Sequence, residues 1–380
     1  MKARVGFVVE QVLGHVAYGT SLRRSLADRD DIECVWIGVP FAPGRLRNVP
    51  MMRGNWALRG SLRASRAISA AHREAPLDAL FIHTQTISLF AGGHMERIPT
   101  LLSLDATPKN LDELAGPYTH SVGNARIERL KRAAYKRVMR RARHYTAWSQ
   151  WAKDSLTNHY DVEASKITVV HPGTVLSDFP EPAPKPIRSG RPLRVLFVGG
   201  DFERKGGDLL LDVFDASLRG ICELHLVTSA AIAPGEGVHV YAGLKPHSPE
   251  LLKLYRDCDV FVLPTRGDCL AVVLGEAMAS SLPILTTNVG AHAEAVEEGV
   301  NGYIIGVDDA VALRDRLQRL AAEPALVAAM GARSRAIGED RFDMGKGANI
   351  LGDILVRIAQ ASNETLAGRP SESVLTERSA

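Results

Sequence analysis

Short runs rich in Val, Ile and Leu alternate with longer stretches of helical periodicity from one end of the chain to the other. Such alternation is typical of βαβ units, which build parallel sheets. The pattern predicts six strands in each half of the chain, enough for a doubly wound sheet in each. The predicted strands lie near residues 4–9, 32–39, 78–84, 100–105, 143–148 and 167–171, and near 194–199, 223–228, 238–242, 259–263, 283–287 and 303–307.

A proline-rich segment separates the two halves. Five prolines fall between residues 180 and 192, and they favour an extended, semi-rigid connection. The length of 380 residues also suits two domains. The predicted parts are an N-terminal domain over 1–180, a linker over 181–192, a C-terminal domain over 193–340, a helix over 341–360 that could pack back on the N-terminal domain, and a disordered tail over 361–380.

Composition places the chain among ordinary globular proteins. Hydrophobic residues make up 46% and charged residues 23%, which excludes collagen-like, coiled-coil and wholly disordered proteins. The four cysteines show neither paired nor zinc-ligand spacing, which is typical of a reduced compartment. The first residues lack the apolar core of a signal peptide, and no apolar stretch approaches the roughly 18 residues of a membrane span. We therefore expect a cytoplasmic protein whose membrane contact, if any, is peripheral and at the inner face of the cell membrane.

The charge is distributed unevenly. The net charge is +3, but residues 1–180 carry 25 Lys and Arg against 16 Asp and Glu, whereas the remainder carries 21 against 27. Residues 45–73 alternate arginines with Met, Trp and Leu, and residues 126–143 carry nine basic residues on a helical pattern. Such segments can bind an anionic membrane or an anionic saccharide, although a solvated helix face is the simpler interpretation. No nucleic-acid-binding module accompanies the charge, so we expect no nucleic acid.

The strongest local motif is the loop Val198–Gly207, which follows a predicted strand and opens a helix. Gly199 and Gly200 allow the backbone to approach a ligand closely, and the helix N-terminus points free N–H groups at an anion. Arg204 and Lys205 add positive charge. The loop matches neither a Walker loop nor the dinucleotide fingerprint. It predicts a diphosphate site, and a solvated turn with two surface cations is the alternative.

Two carboxylates follow the predicted strand at 259–263. Asp268 lies in the loop beyond that strand, and Glu276 lies early in the next helix. The carboxyl edge of a parallel sheet is where such folds bind ligands, and carboxylates accept hydrogen bonds from sugar hydroxyls. The pair therefore predicts a sugar-binding site. The alternative for Glu276 is a structural role only, in which its carboxylate interacts favourably with the helix dipole.

Taken together, these motifs resemble those of the retaining glycosyltransferases of family 4, the glycogen synthase-like group 1 enzymes. The matching segments are Gly-Gly-x-Phe-x-x-Lys-Gly from Gly199, an Asp followed by seven residues and Glu-Ala-Met-Ala from Asp268, and Asn288–Glu294. The resemblance extends from Ser149 to Gly302 and is stronger in the second half. It implies a GT-B fold, in which two Rossmann-like domains face a central cleft, and an enzyme of hexosyltransferase type.

The resemblance also implies roles for residues at the matching positions. Lys205, with Arg204 beside it, would neutralise the donor diphosphate. Asp268 would contact hydroxyls of the donor sugar, and Glu276 would hold the ribose hydroxyls. A further loop, Gly14–Gly19, follows the first strand, where the fold brings donor and acceptor together, although an ordinary strand-to-helix turn is an equal alternative. The other expected donor-binding residues are Gly14, His15, Gly199, Gly200, Cys269, Leu270, Ala271 and Val272.

Three positions depart from the family pattern. Where the family has an arginine before the lysine, this chain has a glycine. We expect Arg204 to take the role of that arginine. Asp268 is one methylene shorter than the glutamate of the family. Asp105 stands where the first domain of the family has a histidine that contacts the donor sugar. His15 or His120 could supply an imidazole instead, or either could have no catalytic role.

We accordingly expect a retaining transferase that moves a sugar from a UDP- or GDP-linked donor to a lipid, saccharide or small-metabolite acceptor in cell-envelope or exopolysaccharide synthesis. No metal or cofactor besides this co-substrate is expected, because Asp257-Cys258-Asp259 starts a strand and no other cluster has metal spacing. A nucleotide-sugar epimerase, a phosphorylase and a non-catalytic nucleotide-sugar-binding protein are the alternatives. The expected catalytic residues are Asp105, Lys205, Asp268 and Glu276.

Overall fold

The structure, a computed structural model, describes residues 2–12, 14–41, 55–114, 116, 124–179 and 190–367. Several segments discussed above therefore lie outside the described residues. They are residues 45–54 of the first basic segment, His120, residues 180–189 of the proline-rich segment, and residues 368–380 of the predicted tail.

Six parallel strands form the N-terminal sheet. They are β1 (Ala3–Gln11), β2 (Ile32–Pro40), β3 (Ala79–His83), β4 (Thr100–Leu104), β5 (His144–Ala147) and β6 (Ile167–Val169). The helices of this half are α1 (Gly14–Ser25), α2 (Trp56–Glu74), α3 (Gly92–Arg97), α4 (Pro108–Glu113), α5 (Ala125–Met139) and α6 (Gln150–Tyr160). The strand order is β2-β1-β3-β4-β5-β6. Strands β3 and β4 are buried along their whole length, as expected for parallel strands covered on both faces.

The C-terminal sheet repeats this architecture. Its strands are β7 (Leu193–Val198), β8 (Cys222–Val227), β9 (Val238–Tyr241), β10 (Val260–Leu263), β11 (Ile284–Thr287) and β12 (Gly302–Ile305). Its helices are α7 (Gly207–Ser217), α8 (Pro249–Asp257), α9 (Val272–Ala279), α10 (His292–Ala295), α11 (Ala310–Ala322) and α12 (Pro324–Arg341). The strand order is β12-β11-β10-β7-β8-β9. The twelve predicted strands are thus confirmed, each within two residues of its predicted limits.

The C-terminal helix returns to the N-terminal half. Helix α13 (Met344–Ala367) packs against α1 and β3, and its residues Ala348, Leu351 and Leu355 are buried in the same core as β1. The helix continues seven residues beyond the predicted end at 360, so the prediction of disorder was wrong for residues 361–367. Polar residues there do not interrupt the helix, because the first helix-breaking residues, Gly368 and Pro370, come only afterwards.

The strand orders determine where a ligand can bind. In the C-terminal sheet β7 and β10 are neighbours, and the connections that follow them leave in opposite directions. In the N-terminal sheet β1 and β3 are related in the same way. A crevice opens at the carboxyl ends of such strands, and this is where open α/β sheets bind ligands. Separately, none of the described helices combines the length and the apolar character needed to cross a membrane.

Candidate functional site

A cleft of about 660 Å³ lies between the two sheets, with residues of both halves in its walls. The N-terminal wall comes from segments that follow β1, β4 and β5, and the C-terminal wall comes mainly from segments that follow β7 to β10. Every residue that the sequence singled out as catalytic or donor-binding lines this cleft. These residues are Gly14, His15, Asp105, Gly199, Gly200, Arg204, Lys205, Asp268, Cys269, Leu270, Ala271, Val272 and Glu276.

The loop between β7 and α7 is held against the end of β10. Gly206 has φ +75°, and a Cβ at this position would lie 2.0 Å from the Pro264 carbonyl oxygen. Only glycine fits both this conformation and this close approach. The preceding residue, Lys205, directs its ammonium group to the Asp268 carboxylate. Two loops that are 63 residues apart in the sequence thus bring a cation and a carboxylate together in the cleft.

Asp268 is a buried carboxyl group that remains ionised. Burial alone would raise the pKa of Asp268, but Lys205, His292 and Arg204 together lower it below its usual value. The His292 ring is fully buried, and burial lowers its pKa to about 4. Its Nδ1 lies 2.9 Å from the Thr286 hydroxyl. The site therefore presents to a ligand an ionised carboxylate, which accepts hydrogen bonds.

Arg204 connects the loop between β7 and α7 to the loop that follows β10. Its Nε lies 2.9 Å from Asp201 Oδ2, and its Nη1 donates a 2.6 Å hydrogen bond to the Gly267 carbonyl oxygen. The Thr265 hydroxyl in turn donates to the Arg204 carbonyl oxygen at 3.1 Å. The guanidinium thus adds positive charge to the cleft and also fixes the position of the Asp268 loop.

Glu276 lies on α9 and is buried. The Tyr255 hydroxyl donates a 2.6 Å hydrogen bond to Glu276 Oε2. Burial raises the pKa of Glu276, whereas the hydrogen bond from Tyr255 opposes this shift. Because Glu276 is buried, hydrogen-bonded and outside the first turn of α9, the dipole interpretation is wrong for it.

On the N-terminal wall, His15 lies between two carboxylates. His15 Nε2 is 3.3 Å from Asp105 Oδ2, and His15 Nδ1 is 2.9 Å from Glu10 Oε1. Burial would lower the pKa of His15, but Asp105 and Glu10 raise it to about 10. The ring is therefore an imidazolium at neutral pH. Of the two histidines considered as replacements for the family histidine, His15 lies next to Asp105, and His120 is not described.

Further residues support this site that were not predicted from the sequence. Glu10 receives hydrogen bonds from Thr84 at 2.8 Å and from the Trp56 indole at 3.1 Å, so its carboxylate is fixed behind His15. His83, at the end of β3, stacks on Trp148 with ring centroids 5.0 Å apart. The position of His83 at the carboxyl end of a predicted strand was a usable signal. Glu10 and Trp148 gave the same signal, since Glu10 directly follows the predicted strand at 4–9 and Trp148 ends the predicted strand at 143–148. The contacts among these residues depend on which strands are neighbours.

Glu294 connects the two halves of the chain. Its two carboxylate oxygens accept hydrogen bonds of 2.7 and 2.9 Å from the backbone N–H groups of Gln150 and Trp151, at the N-terminus of α6. Burial would raise the pKa of Glu294, but the contacts with His171 and these N–H groups lower it. Glu294 is therefore an ionised cap across the domain boundary, which is a structural role.

The sequence shows no further cluster with metal spacing, but the fold brings three residues of metal-binding type together. Glu223, His225 and His239, none of which is among the residues described as lining the cleft, bring their ligand atoms within 4.8 Å of one another. The sequence did not reveal this cluster, because His239 belongs to a different strand from the other two. In the Asp257-Cys258-Asp259 segment, Asp259 Oδ1 instead accepts a hydrogen bond from Arg191 at 2.8 Å.

Two Rossmann-type sheets that face each other across such a cleft define the GT-B class of fold. Sucrose-phosphate synthase from Thermosynechococcus elongatus superposes with a TM-score of 0.73 at 16% identity, over 97% of this chain and 100% of that one. HepE of Anabaena, solved in complex with UDP-glucose, superposes with a TM-score of 0.64 at 17% identity, over 96% of this chain and 100% of that one. At these identities the likeness is one of fold.

Two family profiles match the sequence. The profile of Glycosyltransferase Family 4 matches residues 14–178, and that of Glycosyl transferases group 1 matches residues 192–323. Together they span more than three quarters of the chain. The chain therefore belongs to the group 1, family 4 glycosyltransferases, a family of transferases, as the motifs implied.

Curated relatives match over part of their length. A D-inositol 3-phosphate glycosyltransferase of Streptomyces avermitilis is 30% identical over 234 residues, which cover 55% of this chain and 50% of the relative. The amylovoran biosynthesis glycosyltransferase AmsK of Erwinia amylovora is 31% identical over 188 residues, which cover 44% of this chain and 46% of the relative. The aligned region spans about half the length of these relatives.

Proposed function

We propose that the protein is a retaining, metal-independent glycosyltransferase that moves a sugar from a nucleotide-diphosphate sugar to an acceptor hydroxyl in glycan synthesis. The observation that carries this proposal is the convergence of four groups in one cleft: the Lys205–Asp268 ion pair, Glu276, and the His15 imidazolium on the opposite wall. A cation for phosphate and carboxylates for hydroxyls are the groups that a nucleotide sugar requires.

The donor would bind mainly to the C-terminal wall. Lys205 and Arg204 supply positive charge for the diphosphate, and the backbone of residues 269–271 leads into the N-terminus of α9, where free N–H groups favour an anion. Glu276, positioned by Tyr255, would accept hydrogen bonds from the ribose hydroxyls. UDP is the favoured carrier, because HepE of the same fold was solved with UDP-glucose, and GDP is the alternative.

Transfer with retention would occur on one face of the sugar. The acceptor oxygen would form a bond to the anomeric carbon on the face from which the diphosphate departs, and the hydroxyl proton would pass to the leaving phosphate oxygen. Lys205 and Arg204 would stabilise the negative charge that develops on this oxygen. The four carboxylates of the described cleft wall, Asp105, Asp201, Asp268 and Glu276, are each held by a neighbouring side chain, which favours this route over a covalent carboxylate intermediate.

His15 would take the place of the histidine that the resemblance expects at position 105. Both oxygens of Asp105 are engaged, one with His15 and the other with the Ala106 N–H at 2.9 Å. Asp105 would therefore orient the imidazolium, and the ring would donate a hydrogen bond to the donor sugar or phosphate. This arrangement keeps an imidazole in the cleft, although the ring comes from the start of α1 and not from the end of β4.

The acceptor would be a lipid, a saccharide or a small metabolite, bound on the N-terminal half. We further propose peripheral contact with the cytoplasmic face of an anionic membrane through α5, in which Ile127 and Leu130 are 51% and 72% exposed among basic residues. Sedimentation with vesicles of anionic or of zwitterionic lipid tests this contact. We expect binding to the anionic vesicles only and its loss in the double variant Leu130→Ser/Arg132→Glu; equal binding by this variant would contradict the contact.

The catalytic proposal is tested in two steps. A thermal-shift panel of UDP, GDP and their sugars identifies the donor, because a ligand at about 100 times its Kd adds roughly 2.7 kcal/mol to the free energy of unfolding. Transfer is then followed by NMR with candidate acceptors in the presence of EDTA. We expect a product with the anomeric configuration of the donor. Inversion, or a requirement for added metal, would overturn the corresponding part of the proposal.

A non-catalytic nucleotide-sugar-binding protein is the second candidate, because Asp105 stands where the resemblance expects a histidine. Such a protein would respond to UDP in the thermal-shift panel but would neither transfer nor hydrolyse the sugar. The variant Asp105→His separates the two, since a gain of activity would mean that the native site is impaired. An epimerase would instead convert the nucleotide sugar without any acceptor, and a phosphorylase would require inorganic phosphate.

A further inference from the structure

A cluster of three residues whose side chains commonly bind metals lies at the outer edge of the C-terminal sheet. Glu223 and His225 are two positions apart on β8 and therefore point to the same face of the sheet. His239 lies directly opposite His225 on the edge strand β9, and their rings stack with centroids 4.9 Å apart. The ligand atoms of the three side chains lie within 4.8 Å of one another.

One ring nitrogen of His225 is available to bind a metal ion, because the other contacts a tyrosine hydroxyl. Nδ1 lies 3.0 Å from the Tyr241 hydroxyl, whereas Nε2 is buried and has no hydrogen-bond partner among the described residues. A buried polar atom without a partner is costly, so such atoms call for an explanation. A metal-bound histidine characteristically uses its second ring nitrogen for a hydrogen bond that orients the ring. The Tyr241 contact supplies such a bond, and Nε2 is the free ligand atom.

The carboxylate of Glu223 is oriented by a neighbour on β7. Glu223 Oε2 lies 3.4 Å from Arg194 Nε, and Arg194 is paired with Glu223 in the strand register. One carboxylate oxygen is thus turned towards the arginine, and a carboxylate has a second oxygen to offer an ion. His239 is exposed, so the cluster is open to solvent on the side of the edge strand.

We propose that Glu223, His225 and His239 form a binding site for a transition metal ion of the Zn²⁺ class. Two imidazoles and one carboxylate are a common donor set for Zn²⁺, with a water molecule in the fourth position. Ca²⁺ and Mg²⁺ prefer oxygen ligands and fit this set poorly. Ligand atoms around a tetrahedral Zn²⁺ are about 3.3 Å apart, so side-chain rotations that move each atom by about an ångström close the site.

The position of the site indicates what an ion would do there. The three residues belong to neighbouring strands, so the ion would join the edge strand β9 to β8. Tyr241, which bonds to His225, lines the cleft, whereas the three ligands are not among its described lining residues. The site is therefore separate from the transfer chemistry, but it contacts the wall of the cleft through one hydroxyl group.

Zn²⁺ titration of the full chain tests the proposal. The protein must carry no polyhistidine tag, and it is treated with EDTA and dialysed before titration in competition with a chromophoric chelator. We expect one tight equivalent of Zn²⁺ per chain and a higher Tm when it is bound. The variant His239→Ala should weaken binding at least tenfold, and Glu223→Gln should weaken it by a smaller factor. His159→Ala, which removes a histidine of the other domain, is the matched control and should bind like the unmodified chain.

Each result decides the proposal. His239 lies exposed on an edge strand, and equal Tm values of the metal-free variants show that the fold is kept. Binding that is absent, not stoichiometric, or unchanged in both His239→Ala and Glu223→Gln would overturn the site. Transfer activity is not part of this readout, so the outcome is independent of the proposed function.

Discussion

The Tyr255 hydroxyl donates a 2.6 Å hydrogen bond to Glu276 Oε2, and both side chains are buried. Burial raises the pKa of Tyr255 well above its usual value, so the phenol keeps its proton and remains a donor. The bond leaves Glu276 Oε1 for a ligand and fixes the plane of the carboxylate. This contact is the basis of the first prediction.

Loss of the Glu276 carboxylate should weaken donor binding strongly. Hydrogen bonds to a charged group contribute about 1.5–3 kcal/mol, so Glu276→Gln should raise KM for the donor by about tenfold to a hundredfold. Tyr255→Phe should raise the same KM by about two- to tenfold, because it removes a positioning bond between a buried phenol and the carboxylate.

Steady-state kinetics with varied donor measure both effects. Tyr303→Phe, a change on β12 of the same domain, is the control and should leave KM unaltered. A donor KM that is unchanged in Glu276→Gln would show that the carboxylate does not contact the nucleotide.

The Lys205 ammonium should be essential for turnover. Lys205→Ala removes the cation that would neutralise the leaving diphosphate, and the loss of one such stabilising group lowers kcat by about a hundredfold or more. The same change leaves the buried Asp268 carboxylate without the cation that most lowers its pKa, so this pKa should rise. We expect Lys253→Ala, which removes an exposed lysine paired with Asp257, to retain full activity. Near-normal kcat in Lys205→Ala would overturn the donor-site assignment.

His15 should make the stability of the folded protein depend on pH in the neutral to alkaline range. Its pKa is about 10 in the folded protein and 6.5 in an unfolded chain, so folding favours the protonated ring. The resulting stabilisation is complete below pH 6.5 and is lost as the pH rises towards 10. Tm measured between pH 6 and pH 10 for the unmodified chain and for His15→Gln should therefore differ most at low pH and converge at high pH. A difference that stays constant over this range would exclude the imidazolium.

A side chain at position 206 should destabilise the protein. A second glycine with the same backbone conformation separates the effect of the close contact from that of the positive φ. Gly206 and Gly220 have nearly equal φ values of +75° and +76°, but a Cβ at 206 would lie 2.0 Å from Pro264 O, whereas no described atom lies within 4 Å of a Cβ at 220. Gly220→Ala should cost about 1 kcal/mol, the strain of a left-handed alanine. Gly206→Ala should cost clearly more and also reduce donor binding, since Lys205 is its neighbour. Chemical denaturation compares the two variants, and equal losses of unfolding free energy would refute the contact with Pro264.

Much of the fold and of the candidate site was predictable from the sequence. The twelve strands followed from short apolar runs, because a strand buried on both faces needs an apolar residue at nearly every position. Gly199, Lys205, Asp268 and Glu276 were predictable as neighbours, because each follows a strand and the carboxyl ends of parallel strands meet at one edge. These inferences use only local patterns and a general rule of sheet architecture.

The partners of these residues were decided by the tertiary structure. Tyr255 and Glu276 are 21 residues apart, and His15 and Asp105 are 90 apart. His239 meets His225 only because β9 pairs with β8 in one register. No local pattern encodes such contacts, since they depend on which strands are neighbours and on how helices orient their side chains. The ionisation of His15 and Asp268 follows from these long-range contacts, because burial and the nearest charge decide a pKa together.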